Sequence, residues 1–533
     1  MPDEKAFNLL HENWILVRMP DGKVKEVSIL DLLRDAPDYQ GLAGELPTQD
    51  VATLRLLLAI LHAVFGRYDL EGNFRPISSP GEALERWKSL WDSEDFPMGI
   101  LEKYLMHFED RFWLFHPEFP FYQVPQLGKA TEYTAAKLNG ELSESGNKIR
   151  LFPQRTGKSK SALSYSEAAR WILYVNSFDD TSSKPKTKGL PSPGVGWLGK
   201  LGLITALGDT LFETLLLNLV LLKDGGNELW GEEEPVWEKE QVKTDERTEI
   251  AMPNNPSALL TLQSRRLHLV CQGGSVTGYE LLGGDFFAKE NAFAEQMTVW
   301  RIAKQKKTSS PEYHPKRHDP AKQLWRDFPT LVGQSEAKHP PGIVGWLARL
   351  KQNNLIPSSH FRFQTASVKY GDKDFFVDDV FGDSLSFNAK LLTDLGANWV
   401  KRIIEMIVTT EELVAQIGYL AQNLAKASGD SEANSEKRAA KEQAYFHLDI
   451  PFRRWLEEID PEQDSMSDKC RQWLEHATKI IRNLGKELVN QSGPQSFVGR
   501  YVVEKIKRQE VERRYTAPEA YNHFLYQISK PLN

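Results

Sequence analysis

The stretch that decides the fold lies near the start of the chain, where residues 7–18 read FNLLHENWILVR. This short apolar opening contains Trp14, and a Pro-Asp-Gly turn at residues 20–22 separates it from the apolar string VSILDLL at residues 27–33. Proline and glycine favour such a turn, and a tryptophan among aliphatic neighbours is typical of a buried position. We therefore interpret the opening as core packing without chemistry of its own.

The length and composition bound the class of protein. A chain of 533 residues exceeds what one hydrophobic core supports, so two or more domains are expected. The two cysteines, Cys271 and Cys470, are too few for a disulfide framework or a cysteine-rich zinc cluster, and they fit a reducing cytosol. We read no secretory signal and no apolar stretch long enough to span a bilayer. A cytoplasmic location without a membrane partner is the expectation.

The order of patterns predicts an α+β fold with two domains. Residues 1–384 are expected to form a large, mixed, mainly helical domain with short sheets, including a hairpin at residues 361–381 with its tip at residues 371–374. Residues 385–533 are expected to form a four-helix bundle, and the charged segment VVEKIKRQEVERRY near the end reads as helical. Four apolar stripes at helical spacing carry the bundle prediction: Trp399, Ile403 and Ile407; Leu413, Ile417, Leu420 and Leu424; Trp455, Leu456 and Ile459; Trp473, Ala477, Ile480, Leu484 and Leu488.

Two short motifs match part of a phosphate-binding loop and part of a metal-dependent hydrolase site, and neither motif is complete. RTGKSKS at residues 155–161 contains the end of a phosphate-binding loop, but Phe152 stands where that loop requires a glycine. The pair His318-Asp319 occurs in metal-dependent phosphohydrolases, which need further ligands converging on the metal. We therefore expect no enzyme activity, no cofactor and no bound metal. A phosphohydrolase centred on His318 and Asp319, or a scaffold that binds only proteins, is the alternative.

Local positive charge is the remaining signal. The net charge of −7 restricts nucleic-acid contacts to patches. Two segments supply such patches in loop-like sequence, which favours contacts to phosphate. The basic residues are Lys184, Lys186 and Lys188 in one segment, and Arg301, Lys304, Lys306, Lys307, Lys316, Arg317, Lys322 and Arg326 in the other.

The chain resembles one known family through several blocks in a fixed order. The opening string resembles the start of the large subunit of the type I-E CRISPR surveillance complex, Cascade (the CasA family). The resemblance covers nearly all of the chain and continues through these blocks: FHPEFPFYQV (115–124), SYSEAARWILYVNSFD (164–179), GVGWLGKLG (194–202), GDFFAKENAFAEQMTVWR (284–301) and YHPKRHDPAKQLWRDFP (313–329), followed by the hairpin and the helices.

The resemblance implies a non-catalytic, RNA-guided role in DNA binding. A subunit of this kind reads the short motif beside the target, the PAM, from the minor groove, and helps to start strand separation and R-loop formation. Its implied partners are the crRNA-containing Cascade subunits, double-stranded target DNA and a trans-acting helicase–nuclease. Some members carry a cysteine cluster near the position of Cys271, and this sequence does not, so no zinc is expected.

Three elements of the family read the PAM: a glycine-rich loop, a lysine finger and a hairpin wedge. In this sequence serines replace the loop glycines, and the wedge has a lysine and an aspartate where amide side chains are common. A further loop resembles the segment that contacts the core of the complex and the incoming DNA, with Phe152, Arg155, Lys158 and Lys160 as its contacts. The implied DNA and PAM contacts are Asp180, Thr181, Ser182, Ser183 and Lys184 in the loop, Lys289 as the finger, and Lys373 and Asp374 in the wedge.

Overall fold

The structure, a computed structural model, describes residues 5–140, 155–240, 247–303, 310–333, 339–430, 433–506 and 509–532. It divides into two compact units whose main boundary lies between Ser384 and Leu385. The first unit comprises Met1–Leu324, Thr330–Pro357 and Arg362–Ser384, and the second comprises Trp325–Pro329, Ser358–Phe361 and Leu385–Asn533.

Helices and short antiparallel strands alternate along the chain, which confirms the α+β class. The helices are α1 (Ile29–Arg34), α2 (Pro47–Phe65), α3 (Pro80–Asp92), α4 (Met98–His107), α5 (Ala135–Leu138), α6 (Lys158–Ser161), α7 (Tyr165–Phe178), α8 (Leu211–Asn218), α9 (Pro256–Leu260), α10 (Phe328–Leu331), α11 (Gly342–Gln352), α12 (Ala397–Ser428), α13 (Ala433–Glu457), α14 (Met466–Gln491), α15 (Pro494–Val498) and α16 (Ala517–Ser529). The strands are β1 (Ala6–Asn8), β2 (Ile15–Arg18), β3 (Val24–Val27), β4 (Gly41–Leu42), β5 (Trp113–Phe115), β6 (Thr131–Thr134), β7 (Thr205–Leu207), β8 (Arg265–Gln272), β9 (Ser275–Gly283), β10 (Trp300–Ile302), β11 (Tyr313–Pro315), β12 (His360–Tyr370), β13 (Val377–Asn388), β14 (Arg500–Ile506) and β15 (Gln509–Tyr515).

The opening string forms part of the core, as the sequence predicts. Trp14 is fully buried, and its indole N–H donates to the carbonyl of Leu9 at 3.0 Å. The turn after β2 returns the chain into β3, which pairs antiparallel with β2. Ser28 then caps α1 by accepting from the backbone N–H of Asp31 at 3.1 Å. The hydroxyl satisfies one of the free N–H groups at the helix start and so fixes where the helix begins.

Helix α2 is the central element of the first unit. By length and composition alone it could cross a membrane, but 94% of its most apolar stretch is buried inside the protein, as in the core helix of a folded domain. Arg55 on this helix makes a buried bidentate ion pair with Glu295, at 2.8 and 3.0 Å. The same carboxylate accepts from the indole N–H of Trp197 at 2.8 Å. Helix α2 thereby anchors two loop segments that contribute to the candidate site.

The predicted hairpin at residues 361–381 is present as β12 and β13, in a three-stranded sheet of order β13-β12-β7. A second sheet has the order β6-β9-β8, with β8 and β9 joined at Gly273 and Gly274. Helix α7 begins with a capping box between Ser164 and Glu167. It ends at the loop that the sequence assigns to DNA contact.

The second unit contains the helical bundle, but two of the predicted helices are one. The first two apolar stripes lie on α12, a single helix of 32 residues. No proline or glycine separates the stripes, so nothing in the backbone ends the helix between them. The remaining long helices are α13 and α14, and α16 packs on α14 where Gly485 leaves room for the ring of Phe524.

The helical prediction for VVEKIKRQEVERRY is wrong. Strands β14 and β15 form an antiparallel hairpin, in which Tyr501 pairs with Arg514 and Val503 with Glu512. Alternating β-branched and charged residues favour a strand at least as well as a helix. Tyr501 and Val503 are both exposed. The spacing of the apolar residues in this segment therefore does not report which side is buried, and it cannot distinguish a helix from a strand.

Candidate nucleic-acid interface

The loop after α7, residues 179–184 (the 180 loop), is held by buried charges. The Asp179 carboxylate accepts from Lys184 Nζ at 2.7 Å and from Arg265 Nε at 2.6 Å, and all three side chains are at most 3% exposed. Burial alone would raise the pKa of Asp179, but Lys184, Arg265 and Lys137 outweigh it and lower that pKa. The loop therefore depends on an ionised aspartate at its first position.

Further side chains fix the rest of the 180 loop. Asp180 is buried, forms an ion pair with Lys137 and accepts from the backbone N–H of Ser182 at 2.9 Å. The hydroxyl of Tyr133 donates to the carbonyl of Ser183 at 2.7 Å. Side-chain hydrogen bonds thus shape a loop that has serines in place of glycines.

This packing separates the predicted loop contacts into two groups. Asp180, Ser182 and Lys184 face inward, and the Lys184 ammonium also donates to the carbonyls of Asp180 and Ser182. In this structure the Lys184 charge is neutralised inside the protein and is not presented to a phosphate. Thr181 and Ser183 keep exposed surface.

The hairpin tip, residues 371–374, lies directly against the 180 loop. Thr181 donates from its backbone N–H to the carbonyl of Asp374 at 2.9 Å and from its hydroxyl to the carbonyl of Lys373 at 3.0 Å. Lys373 and Asp374 both adopt left-handed backbone conformations, with φ of 52° and 62°. Such conformations are costly for residues other than glycine, so the two bonds from Thr181 stabilise an otherwise strained turn.

Arg317 fixes the same tip from another side. Its guanidinium binds the Asp374 carboxylate with two hydrogen bonds, at 2.9 and 3.1 Å, and lies 5.1 Å from the ring centroid of Tyr370. The Tyr370 hydroxyl donates to the carbonyl of Phe178 at 2.7 Å. A Cβ at Gly199 would lie 2.1 Å from that hydroxyl oxygen, so the glycine is required for the approach. Asp374 is therefore bound within the protein, whereas Lys373 is exposed.

Lys289, the predicted finger, is exposed beside two aromatic contacts. Phe286 stacks under the guanidinium of Arg247, 3.8 Å from the ring centroid. Phe287 packs on Trp197 with ring centroids 4.4 Å apart. These contacts hold the segment before Lys289 and leave its side chain in solvent.

Lys200 lies close to the segment that carries Lys289. Burial lowers its pKa to about 8, with further contributions from Arg265, Arg247, Lys289 and Arg317. Its ammonium lies 5.8 Å from the ring centroid of Trp197, which packs on Phe287, two residues before Lys289. Arg265 holds the 180 loop and Arg317 holds the hairpin tip. The 180 loop and the hairpin tip thus lie in direct contact, and Lys200 lies near the segment that carries Lys289.

The sequence places Arg317 only within a basic segment expected to contact phosphate, and it gives Lys200 no role at the site. The signal for Lys200 was a lysine among glycines and a tryptophan in GVGWLGKLG. The signal for Arg317 was one cation in a run of several. Only the tertiary contacts distinguish these two from their neighbours.

The predicted contact loop is described in part. Phe152 lies outside the described residues. Arg155 is largely buried and binds Glu45 at 2.5 Å and Glu167 at 2.8 Å, so its charge is neutralised within the protein. Lys158 is exposed and Lys160 is half-buried. Of the cations predicted for this loop, these two can reach phosphate.

The second predicted basic segment does not form one patch. Lys304, Lys306 and Lys307 lie outside the described residues. Arg317 belongs to the candidate site, whereas Arg326 belongs to the second unit, where it binds Glu411 at 3.1 Å and stacks on Tyr445. Closeness in sequence therefore did not imply a shared surface.

The His318-Asp319 pair makes structural contacts. The His318 ring lies 3.0 Å from the carbonyl of Leu203, and the Asp319 carboxylate accepts from the backbone N–H of Ala321 at 3.0 Å. A group whose geometry would suit a metal ion consists instead of Glu290, Glu312 and His314, and its two carboxylates are exposed. The two ring nitrogens of His314 lie 3.7 Å from the Glu290 carboxylate and 2.5 Å from the Glu312 carboxylate.

Comparison with known proteins first defines the class. The fold matches the crystal structure of Thermobifida fusca Cse1 with a TM-score of 0.82 and 29% identity, over 99% of this chain and 98% of that one. It also matches Cse1 from Acidimicrobium ferrooxidans, with a TM-score of 0.79 and 22% identity over 100% and 99% of the two chains. The class is thus that of CRISPR-associated proteins.

The family follows from the sequence. The family model for CRISPR-associated protein Cse1 matches residues 8–484. A curated relative, CasA/Cse1 of Thermus thermophilus, is 34% identical over 218 residues, and the match spans 40% of each chain. The chain belongs to the CRISPR-associated Cse1 family.

Proposed function

We propose that this protein is a non-catalytic subunit of an RNA-guided type I-E surveillance complex, in which it recognises the PAM in double-stranded target DNA and helps to open the duplex. The observation that carries the proposal is the direct contact between the 180 loop and the hairpin tip, made by the hydrogen bonds of Thr181, together with the exposure of Lys289. Family membership and the likeness to a chain of a "CRISPR RNA-guided surveillance complex", at a TM-score of 0.64 and 14% identity, support the same assignment.

The geometry suits recognition from the minor groove. That groove presents a degenerate pattern of acceptors, so a cation and a few fixed polar groups suffice to accept several motifs. Lys289 and Lys373 are exposed cations, while Thr181 and Arg317 hold the tip in one conformation. A fixed tip can act as a wedge, because opening one step costs only about 1.4 kcal/mol of stacking.

The proposal extends to partners and location. The crRNA-containing subunits would supply sequence reading by base pairing, and a trans-acting helicase–nuclease would degrade the DNA once the R-loop has formed. The cytosol is the compartment proposed for such a complex. Lys158 and Lys160 are the contacts proposed for the core of the complex or the incoming DNA, since both retain exposed surface.

Affinity purification of the tagged chain from its native host tests the assignment. We expect a crRNA and repeated backbone subunits to co-purify, and the purified complex to bind duplex with a cognate PAM more tightly than duplex with a scrambled one. Purification of the chain without RNA, or equal binding of the two duplexes, would contradict the proposal.

Charge reversal of Lys186 and Lys188 tests whether the segment after the 180 loop contacts DNA. Both side chains are exposed. Each phosphate contact that is lost should lower the slope of log K against log salt by about 0.9. We therefore expect Lys186→Glu with Lys188→Glu to flatten the slope for duplex binding by the assembled complex, while Lys103→Glu on α4 leaves it unchanged. An unaltered slope in the double variant would place this segment in solvent.

A further inference from the structure

A cavity in the first unit is lined by none of the residues of the 180 loop or the hairpin tip. Its volume is about 450 Å³, within the range of about 300–1,000 Å³ that is usual for small-molecule sites. Part of its wall is Phe119–Gln123, from the block FHPEFPFYQV (115–124), to which the proposed function gives no role. Other parts of the wall are Trp237, Met252 and Arg266.

Contacts within the protein fix the aromatic and amide side chains of this wall. The indole N–H of Trp237 donates to the hydroxyl of Tyr104 at 2.8 Å. The Gln123 side chain donates to the carbonyl of Leu114 at 2.7 Å and accepts from the backbone N–H of Leu269 at 2.9 Å. A wall held in this way exists before a ligand binds, so binding does not have to order it.

The charges around the cavity leave one cation without a counter-charge. Arg266 binds the Asp285 carboxylate at 2.6 Å, and the Lys239 ammonium lies 3.8 Å from the Glu234 carboxylate. Arg111 also lines the cavity, and its guanidinium makes no ion pair with the residues that the structure describes. Three cations thus face two carboxylates, and the site favours an anion.

A buried donor in the same wall lacks an acceptor. Arg266 is 1% exposed, and its Nε–H has no hydrogen-bond partner within the described part of the chain. Leaving such a group unsatisfied costs free energy, and proteins normally avoid it. Because the side chain lines the cavity, an oxygen of a bound ligand can supply the missing acceptor.

An aromatic acid combines the two properties that the cavity requires. The Arg111 guanidinium lies 3.9 Å from the ring centroid of Phe119, so a cation and an aromatic surface are adjacent in the wall. Arginine binds acidic groups strongly because its planar fork presents several donors. A neutral apolar ligand would leave Arg111 without a partner, and a small hydrophilic anion would leave the apolar wall in water.

We propose that this cavity binds a small aromatic anion, with the acidic group on Arg111 and the ring against the wall that contains Phe119 and Trp237. The inference goes beyond the proposed function, because neither DNA nor crRNA takes part in it. It gives the block FHPEFPFYQV a binding role in addition to its role in packing.

Fluorescence titration of the full chain with 8-anilinonaphthalene-1-sulfonate, an aromatic anion, tests the site in the absence of nucleic acid. We expect saturable binding that Arg111→Gln weakens about tenfold, because a hydrogen bond to a charged group is lost. Ala258→Phe places a ring at a lining position of α9 and should abolish the saturable signal. The control Arg75→Gln removes an arginine whose side chain is 63% exposed, and it should bind the probe like wild type.

Two matched competitors test the requirement for charge. N-acetyltryptophan carries a carboxylate, whereas N-acetyltryptophanamide has the same ring and is neutral. We expect the acid to displace the probe at a concentration about tenfold lower than the amide does. Equal displacement by the two compounds would contradict an ionic contact with Arg111.

The melting temperature of each variant, measured beside the titration, shows whether a loss of binding comes from folded protein. If Ala258→Phe does not fold, Arg111→Gln and the two competitors still decide. Wild-type affinity in Arg111→Gln would overturn the inference. Because the titration contains no nucleic acid, that result would leave the proposed function intact, and a failure of PAM recognition would leave the cavity site intact.

Discussion

Replacing Lys289 with alanine is expected to weaken binding of PAM-containing duplex by the assembled complex between tenfold and a hundredfold, with single-stranded target bound almost as well as by wild type. A hydrogen bond to a charged group contributes roughly 1.5–3 kcal/mol, which corresponds to that range. Lys289 is exposed, and the aromatic contacts of Phe286 and Phe287 hold the segment before it. Its loss should therefore remove a DNA contact without disturbing the fold.

Titration of both substrates at a fixed salt concentration measures the effect, because affinity for nucleic acid depends strongly on salt. Lys289→Arg tests whether charge alone suffices, since an arginine keeps the charge but changes the donor geometry. Lys103→Ala removes an exposed lysine from α4 as the control. A similar loss on duplex and single strand would mean that Lys289 contacts nucleic acid generally and does not serve PAM recognition.

The elements of this site could be predicted from the sequence because each is local. Helix α7 follows from the capping box at its start and from its apolar period, and the hairpin follows from two alternating strings around Gly371. Lys289 is assigned only through the resemblance of the block FFAKENAF to the family. These signals lie close in sequence to the feature that they define.

What brings the elements together could not be predicted, because it depends on contacts between distant positions. Thr181 reaches the hairpin tip, where its partner Lys373 lies 192 residues further along the chain, and Asp179 meets Arg265 across 86 residues. The hydrophobic periodicity of the sequence does not show which aspartate pairs with which arginine. The same limit explains Lys184, which reads as a surface cation in KPKTK but is neutralised by Asp179.

The errors in the second unit have a different cause. There the local sequence pattern is compatible with more than one secondary structure. Two stripes on one helix drift around its axis, so α12 reads as two helices when each stripe is taken alone. In β14 and β15 the charged residues satisfy a helical pattern as well as a strand pattern, and pairing between the strands decides the outcome. Surface segments carry little burial information, so their secondary structure is the least predictable.

Asp179→Asn is expected to destabilise the first unit by about 3–5 kcal/mol, the usual cost of removing one member of a buried ion pair. The Asp179 carboxylate is 3% exposed and is the partner of both Lys184 and Arg265. Asparagine keeps the size of the side chain but leaves two buried cations without a counter-charge. The 180 loop should then lose its fixed conformation, and the hairpin tip should lose the hydrogen bonds that it accepts from Thr181.

The pH dependence gives this prediction a distinctive signature. Because the folded state lowers the pKa of Asp179, the carboxylate contributes stability above the ordinary aspartate value of about 3.9, and that contribution is lost as the pH falls through the folded-state pKa. The difference in unfolding free energy between wild type and Asp179→Asn should therefore be constant near neutrality and shrink in acid below about pH 4.

The matched control is Asp209→Asn, which makes the same chemical change at an ion pair with Arg362 whose aspartate side chain is 91% exposed. Exposed pairs contribute about 0–1 kcal/mol, so chemical denaturation should show little change for this variant. If Asp179→Asn unfolds at the same denaturant concentration as Asp209→Asn, the buried cluster does not organise the 180 loop. If instead it lowers stability as expected and also abolishes the preference for PAM-containing duplex, the folded conformation of the loop is itself what recognition requires.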